Sequence, residues 1–261
     1  MIYVTSFLDI NRSSRRNHHR SFDQYLISFR PFIHLFDNQS IDKMVVFIDK
    51  KHFQILKDQI RSNITLIPIS IQWMIDNVDV FKSIDRENDI MKDNLYRSLL
   101  GDRQKFPEHN YPLYTMINHA KIDLVCKAID MYQEDDIFAW VDFGFFADAS
   151  NIPIKLLDKK HFLLDKMNYH LINHIHTVEN HDPIFHLQHA PELIGGFFFI
   201  SSSNVLKLYK TAYNEMVDFF HQNNIQDDDQ HIVLQLYYKY PNLFSFTGLG
   251  WHNVLTKYQI T

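Results

Sequence analysis

Cysteine is nearly absent: Cys126 is the single one among 261 residues. One thiol makes neither an intramolecular disulfide nor a cysteine-rich zinc site, which suits a reducing compartment, and a cytoplasmic location is expected. Glycine is scarce too, at six residues, and neither G-x-G-x-x-G nor G-x-x-x-x-G-K-[ST] occurs, so no glycine loop cradles a phosphate. No window approaches the roughly 18 apolar residues of a membrane span. The apolar start, Met1 to Leu8, is too short for a secretory core segment. Basic charge is not in excess either. A formal net charge of −5 argues against duplex nucleic acid as the main partner, whereas a nucleotide needs only one or two local cations.

What is abundant is apolar and aromatic: 46% hydrophobic and 15% aromatic residues, enough for one folded α/β domain of this length. β-branched and aromatic runs predict strands at Ile2–Phe7, Met44–Ile48, Thr65–Ile69 and Ile137–Val141. Helical spacing is read over Ser21–Phe36, with Pro31 as a potential kink, over Lys50–Ile60, and over a long segment from Tyr111 to Tyr132. Gln72–Leu100 reads as irregular and helical, and the polar stretch Gly101–Asn110 as a loop. Beyond Ala149–Ile154 the pattern weakens through the His-rich stretch His161–His189. It resumes with a strand, Gly195–Ile200, entered through a tight turn, helices at Ser203–Phe220 and Asp228–Lys239, and a last strand at Asn242–Phe246. Such alternation predicts a single domain with a mixed, mostly parallel sheet flanked by helices, whose ligands bind beyond the carboxyl ends of the strands.

Asp142 stands at such an end, directly after the apolar strand residues Ile137–Val141, in Trp140-Val141-Asp142-Phe143-Gly144. A carboxylate there either caps a turn or binds a hard divalent cation, Mn²⁺ or Mg²⁺, that bridges to a diphosphate. Gly144 would let backbone come close to that ligand. Lys121, in the helix before this strand, and Arg12, Arg15, Arg16 and Arg20, after the first strand, are either solvated charges or phosphate contacts. Asp227-Asp228-Asp229-Gln230 places up to three carboxylates at a helix start, as caps or to orient an acceptor hydroxyl. His252 could add a nitrogen ligand. His174, His176, His181, His186 and His189 match no zinc spacing, and Ser201-Ser202-Ser203 lacks the G-x-S-x-G elbow.

In combination, Tyr3-Val4-Thr5-Ser6-Phe7-Leu8-Asp9-Ile10-Asn11-Arg12, Tyr111-Pro112-Leu113-Tyr114 with Lys121, and the Trp140–Gly144 segment resemble the HtrL/YibB-type family, which is similar to GT-A-fold glycosyltransferases. The resemblance implies a GT-A-like domain with a nucleotide-binding half over residues 1–147 and an acceptor-side half over 148–261. It implies a sugar transferred from a nucleotide-sugar donor, a UDP-sugar, to a hydroxyl of a glycan or protein acceptor, with metal assistance. On this likeness Thr5, Asp9, Arg12, Lys121, Trp140, Gly144 and Gly196 meet the donor. Asp142, as a reduced Asp-x-Asp motif, and His252 hold the metal, while Asp228, Asp229 and Gln230 face the transferred sugar. Two other readings stay open: a noncatalytic nucleotide- or carbohydrate-binding protein, and a nucleotidyltransferase. Self-association into a homo-oligomer is likewise open.

Overall fold

Two apolar stripes per strand, facing opposite sides by the two-residue period of a β-strand, explain the architecture of the computed structural model. It describes residues 1–10, 21–36, 41–60, 62–134, 136–147, 153, 155–175, 180–189, 193–250 and 254–259. In β1 (Ile2–Phe7), Ile2 and Val4 face one core, while Tyr3 faces the other. β2 (Lys43–Asp49), β3 (Ile64–Ile69) and β4 (Ile137–Val141) join β1 in a parallel set. β5 (Met167–Leu171), β6 (Ile194–Ser202) and β7 (Phe244–Leu249) extend it to seven strands in the order β3-β2-β1-β4-β6-β5-β7. β6 runs antiparallel to both of its neighbours, and β7 is parallel to β5, so the sheet is mixed and mostly parallel.

Helix α1 (Phe22–Ile33) covers one face; it opens on a Ser21–Gln24 capping box and contains Pro31 without ending there. The opposite face carries α3 (Ile71–Asn77), α4 (Ile84–Lys92), α5 (Asn94–Leu99), α6 (Pro112–His119), α7 (Lys121–Met131), α9 (Ser203–Gln222) and α10 (Asp229–Lys239). Shorter helices are α2 (Phe53–Lys57), α8 (Pro183–His189) and α11 (Val254–Lys257).

Several sequence expectations change. The long helix expected from Tyr111 to Tyr132 is two helices, because Ala120, with ψ of −12°, interrupts the α-helical run between α6 and α7. That break makes Lys121 the first residue of α7 rather than a mid-helix residue. Gly195 and Gly196 lie inside β6 and are strand residues, not a turn that leads into it. β5 lay unread within the His-rich stretch because it carries Asn168 and His170. Both are fully buried, and the Asn168 amide is satisfied by the carbonyls of Leu163, Lys166 and Ile200.

Candidate active site

The carboxyl end of β4, the start of the buried antiparallel strand β6 and the first turns of α7 and α10 meet around one ammonium group. Lys121 is 6% exposed, and its Nζ donates to Asp229 Oδ2 at 2.8 Å, to the Gly196 carbonyl at 2.9 Å and to Asp142 at 3.1–3.2 Å. Burial works against the charged ammonium, but Asp142 and Asp229 outweigh it, and its pKa is raised. The same burial raises the Asp229 carboxyl, against the pull of Lys121 and with the repulsion of Asp142. Solvated charge, one of the two sequence readings of Lys121, is therefore excluded.

Asp142 follows β4 directly; its backbone N–H donates to Phe197 O on β6, which prolongs the ladder past the strand end. Its side chain is 31% exposed, and its Oδ1 also accepts the Trp140 indole N–H at 2.6 Å. Trp140 itself is buried and stacked against Phe199, so its N–H orients Asp142 from within the core. Gly196 has a steric reason: a Cβ there would overlap the Asp229 carboxylate. Gly144 has a different one, since a Cβ would stand 2.7 Å from the Tyr25 ring of α1. That side of Gly144 is filled by protein.

Asp228 caps α10, its carboxylate accepting the Gln230 N–H at 3.1 Å. Gln230 Oε1 is buried without a hydrogen-bond partner among the described residues. Beneath this turn lies an anchor that the sequence did not announce. Arg103, from the 3-10 turn Gly101–Lys105, grips Asp227 with both terminal nitrogens, at 3.0 and 3.2 Å, and also donates to Leu187 O at the end of α8. His231 Nδ1 stands 2.7 Å from Asp227. Burial opposes the Asp227 charge, but His231 and Arg103 hold its carboxyl well below the usual range, while Asp227 in turn raises His231. Burial and the neighbouring Asp227 push the Asp228 carboxyl up. Arg103 was hidden because its segment reads as a polar loop, and no local spacing ties it to a residue over a hundred positions away.

The other sequence candidates divide. Thr5, at 1% exposure in β1, has its hydroxyl buried with no hydrogen-bond partner among the described residues. Asp9, just past β1, is engaged by Lys51 at 2.8 Å and His52 at 3.3 Å. Arg12, Arg15, Arg16, Arg20, His176 and His252 lie outside the described residues. His181 stacks on Tyr238 and His189 on Phe185, while His186 bonds Asn180 O and Gln235; none of the three belongs to a metal-type group among the described residues. Among the described residues, the one group of three metal-type side chains within ligand spacing is Asp227, Asp228 and His231, and Arg103 already straddles its central carboxylate.

The architecture is similar to the galactosyltransferase LgtC in complex with donor and acceptor sugar analogs, with a TM-score of 0.51 and 10% identity, covering 95% of this chain and 73% of that one. An active-site mutant of LgtC aligns at a TM-score of 0.51 with 9% identity, covering 95% and 72%. At such identities the likeness defines the fold, a GT-A glycosyltransferase-like one. Protein HtrL of Escherichia coli (strain K12) is 30% identical over 263 residues, covering 95% of this chain and 87% of HtrL. Residues 1–259 match the family described as "Bacterial protein of unknown function (HtrL_YibB)", and the chain belongs to that family.

Proposed function

We propose that this chain is a glycosyltransferase that moves a sugar from a nucleotide-sugar donor, a UDP-sugar, to a hydroxyl of a glycan or protein acceptor. The observation that carries the reading is the convergence of Asp142, Lys121, Gly196 and Asp229 at one point beside the carboxyl end of β4. Open α/β sheets bind ligands at such ends, and four positions spread over more than a hundred residues have no packing reason to concentrate charge there. In this reading the α10 N-terminus stabilises charge on the departing diphosphate, while Lys121 neutralises and positions Asp142 and Asp229 beside it, preorganised before the reaction begins. Thr5 and Asp9, at and beyond the end of β1, would meet the nucleoside, and Gln230 Oε1 would find its missing partner in a sugar hydroxyl. Asp228, whose pKa is raised toward that of a working base, would accept the acceptor proton if the anomeric centre inverts. If configuration is retained, the leaving phosphate takes that proton.

A divalent cation fits the described residues around Asp142 poorly. A hard cation takes about six oxygens. Here one carboxylate faces outward, Gly144 adds no side chain, and Asp142 already accepts from Lys121 and Trp140. The test is a screen of UDP-, GDP-, CMP- and dTDP-sugars for thermal stabilisation and donor hydrolysis, with Asp142→Ala as control. Stabilisation and turnover by one nucleotide class, both weakened in the variant, support the proposal. No stabilisation by any nucleotide ends it, and binding without turnover leaves a noncatalytic sugar-nucleotide binder.

A further inference from the structure

We infer that Lys121 is the resident cation of this site: its ammonium occupies the place between Asp142 and Asp229 that a divalent metal ion would otherwise take. An ammonium offers three N–H donors, and Lys121 meets three acceptor groups: Asp229 Oδ2, the Gly196 carbonyl and the Asp142 carboxylate. Its hydrogen-bonding capacity is therefore filled from these oxygens. The placement runs against two general costs. Lys121 opens α7, where the helix dipole disfavours a cation, and it is buried, where an ammonium needs compensation. Two carboxylates and a carbonyl supply that compensation.

Removing the ammonium reverses the balance. Two carboxylates and a carbonyl would then surround one vacated position with no positive charge, which is the ligand chemistry of a hard divalent cation. The wild-type trio carries one positive and two negative charges. It does not attract a diphosphate by net charge; it removes the need for a metal to neutralise Asp142. The consequence for ligand binding, that nucleoside diphosphate binds without a divalent ion, rests on the nucleotide-sugar reading. The metal chemistry of the three oxygens does not.

The experiment titrates Mn²⁺ by electron paramagnetic resonance into the full-length wild type, Asp142→Asn, Lys121→Met and the double variant, and measures UDP binding by calorimetry in EDTA and in Mn²⁺. The wild type is expected to bind no Mn²⁺ that Asp142→Asn removes. Lys121→Met is expected to gain one bound Mn²⁺ that the double variant loses, and wild-type UDP affinity to change by less than about twofold between EDTA and Mn²⁺. Ions retained by Asp142→Asn sit elsewhere and leave that expectation met. A wild-type Mn²⁺ signal abolished by Asp142→Asn overturns the inference, as does UDP binding that appears only with Mn²⁺. Should no nucleotide bind at all, the transferase reading falls and the resonance comparison still decides the identity of the resident cation. Should Lys121→Met fail to fold, the comparison of wild type with Asp142→Asn decides it alone.

Discussion

Replacing Gly196 by alanine tests the geometry of the site with one methyl group. A Cβ at this position would stand 2.6 Å from Asp229 Cγ and 2.8 Å from its Oδ1. Ordinary contact between such atoms needs roughly 3.5 Å, so the carboxylate must retreat by about 1 Å. The Lys121–Asp229 bond, now 2.8 Å, would lengthen beyond hydrogen-bond range. Overpacking of this kind costs about 1–3 kcal/mol, or a melting temperature lower by ~2–10 °C in a chain of this size. Displacing a positioned group by about 1 Å costs on the order of 10²-fold in rate. Calorimetry and donor hydrolysis measure the two effects separately. Gly195→Ala is the control, because its Cβ would meet the Phe197 ring, 2.7 Å from Cζ, and leave Asp229 alone. It should lower stability comparably and spare turnover relative to Gly196→Ala. A Gly196→Ala protein with wild-type melting and wild-type turnover would refute the reasoning.

Three further outcomes are expected. Asp142→Asn should fold almost normally, since Lys121 keeps Asp229 and the Gly196 carbonyl, yet lose on the order of 10²-fold in turnover; loss of folding with no specific loss of turnover would count against its placement in the site. Arg103→Met leaves the buried Asp227 without its paired guanidinium and should destabilise by about 3–5 kcal/mol in urea unfolding, with a change below 1 kcal/mol speaking against an anchoring role. Burial holds His119 down to about 3 and His109 down to about 4, both below the unfolded value near 6.5. Their contribution to stability is therefore full above about pH 6.5 and is lost as pH falls toward the folded values, because the unfolded chain binds the protons first. Unfolding free energies at pH 7 and pH 5 should show this loss, and the double variant His109→Gln, His119→Gln should flatten it.

The parallel half of the sheet was legible from local pattern, because β1 to β4 are short apolar runs whose identity depends on neither partner nor register. Asp142 was visible for the same reason: a carboxylate closing an apolar strand stands out in one dimension. β5 was not legible, since its buried Asn168 breaks the apolar pattern and is satisfied by carbonyls of the preceding turn, Leu163 and Lys166, and of β6, Ile200, pairings that only the folded chain supplies. Nor was the break at Ala120, which turns a lysine of a helix body into the first residue of α7. Sequence alone thus determined the apolar periodicity, the lack of a glycine phosphate loop and the strand-end acid, all properties of neighbours along the chain. Only the tertiary structure decided that Lys121 is buried between Asp142 and Asp229, that Gly196 is glycine because of Asp229, and that Arg103 secures the start of α10. Those are charge-pairing and contact properties, and they exist only once residues far apart in sequence are brought to within 3 Å or so of each other.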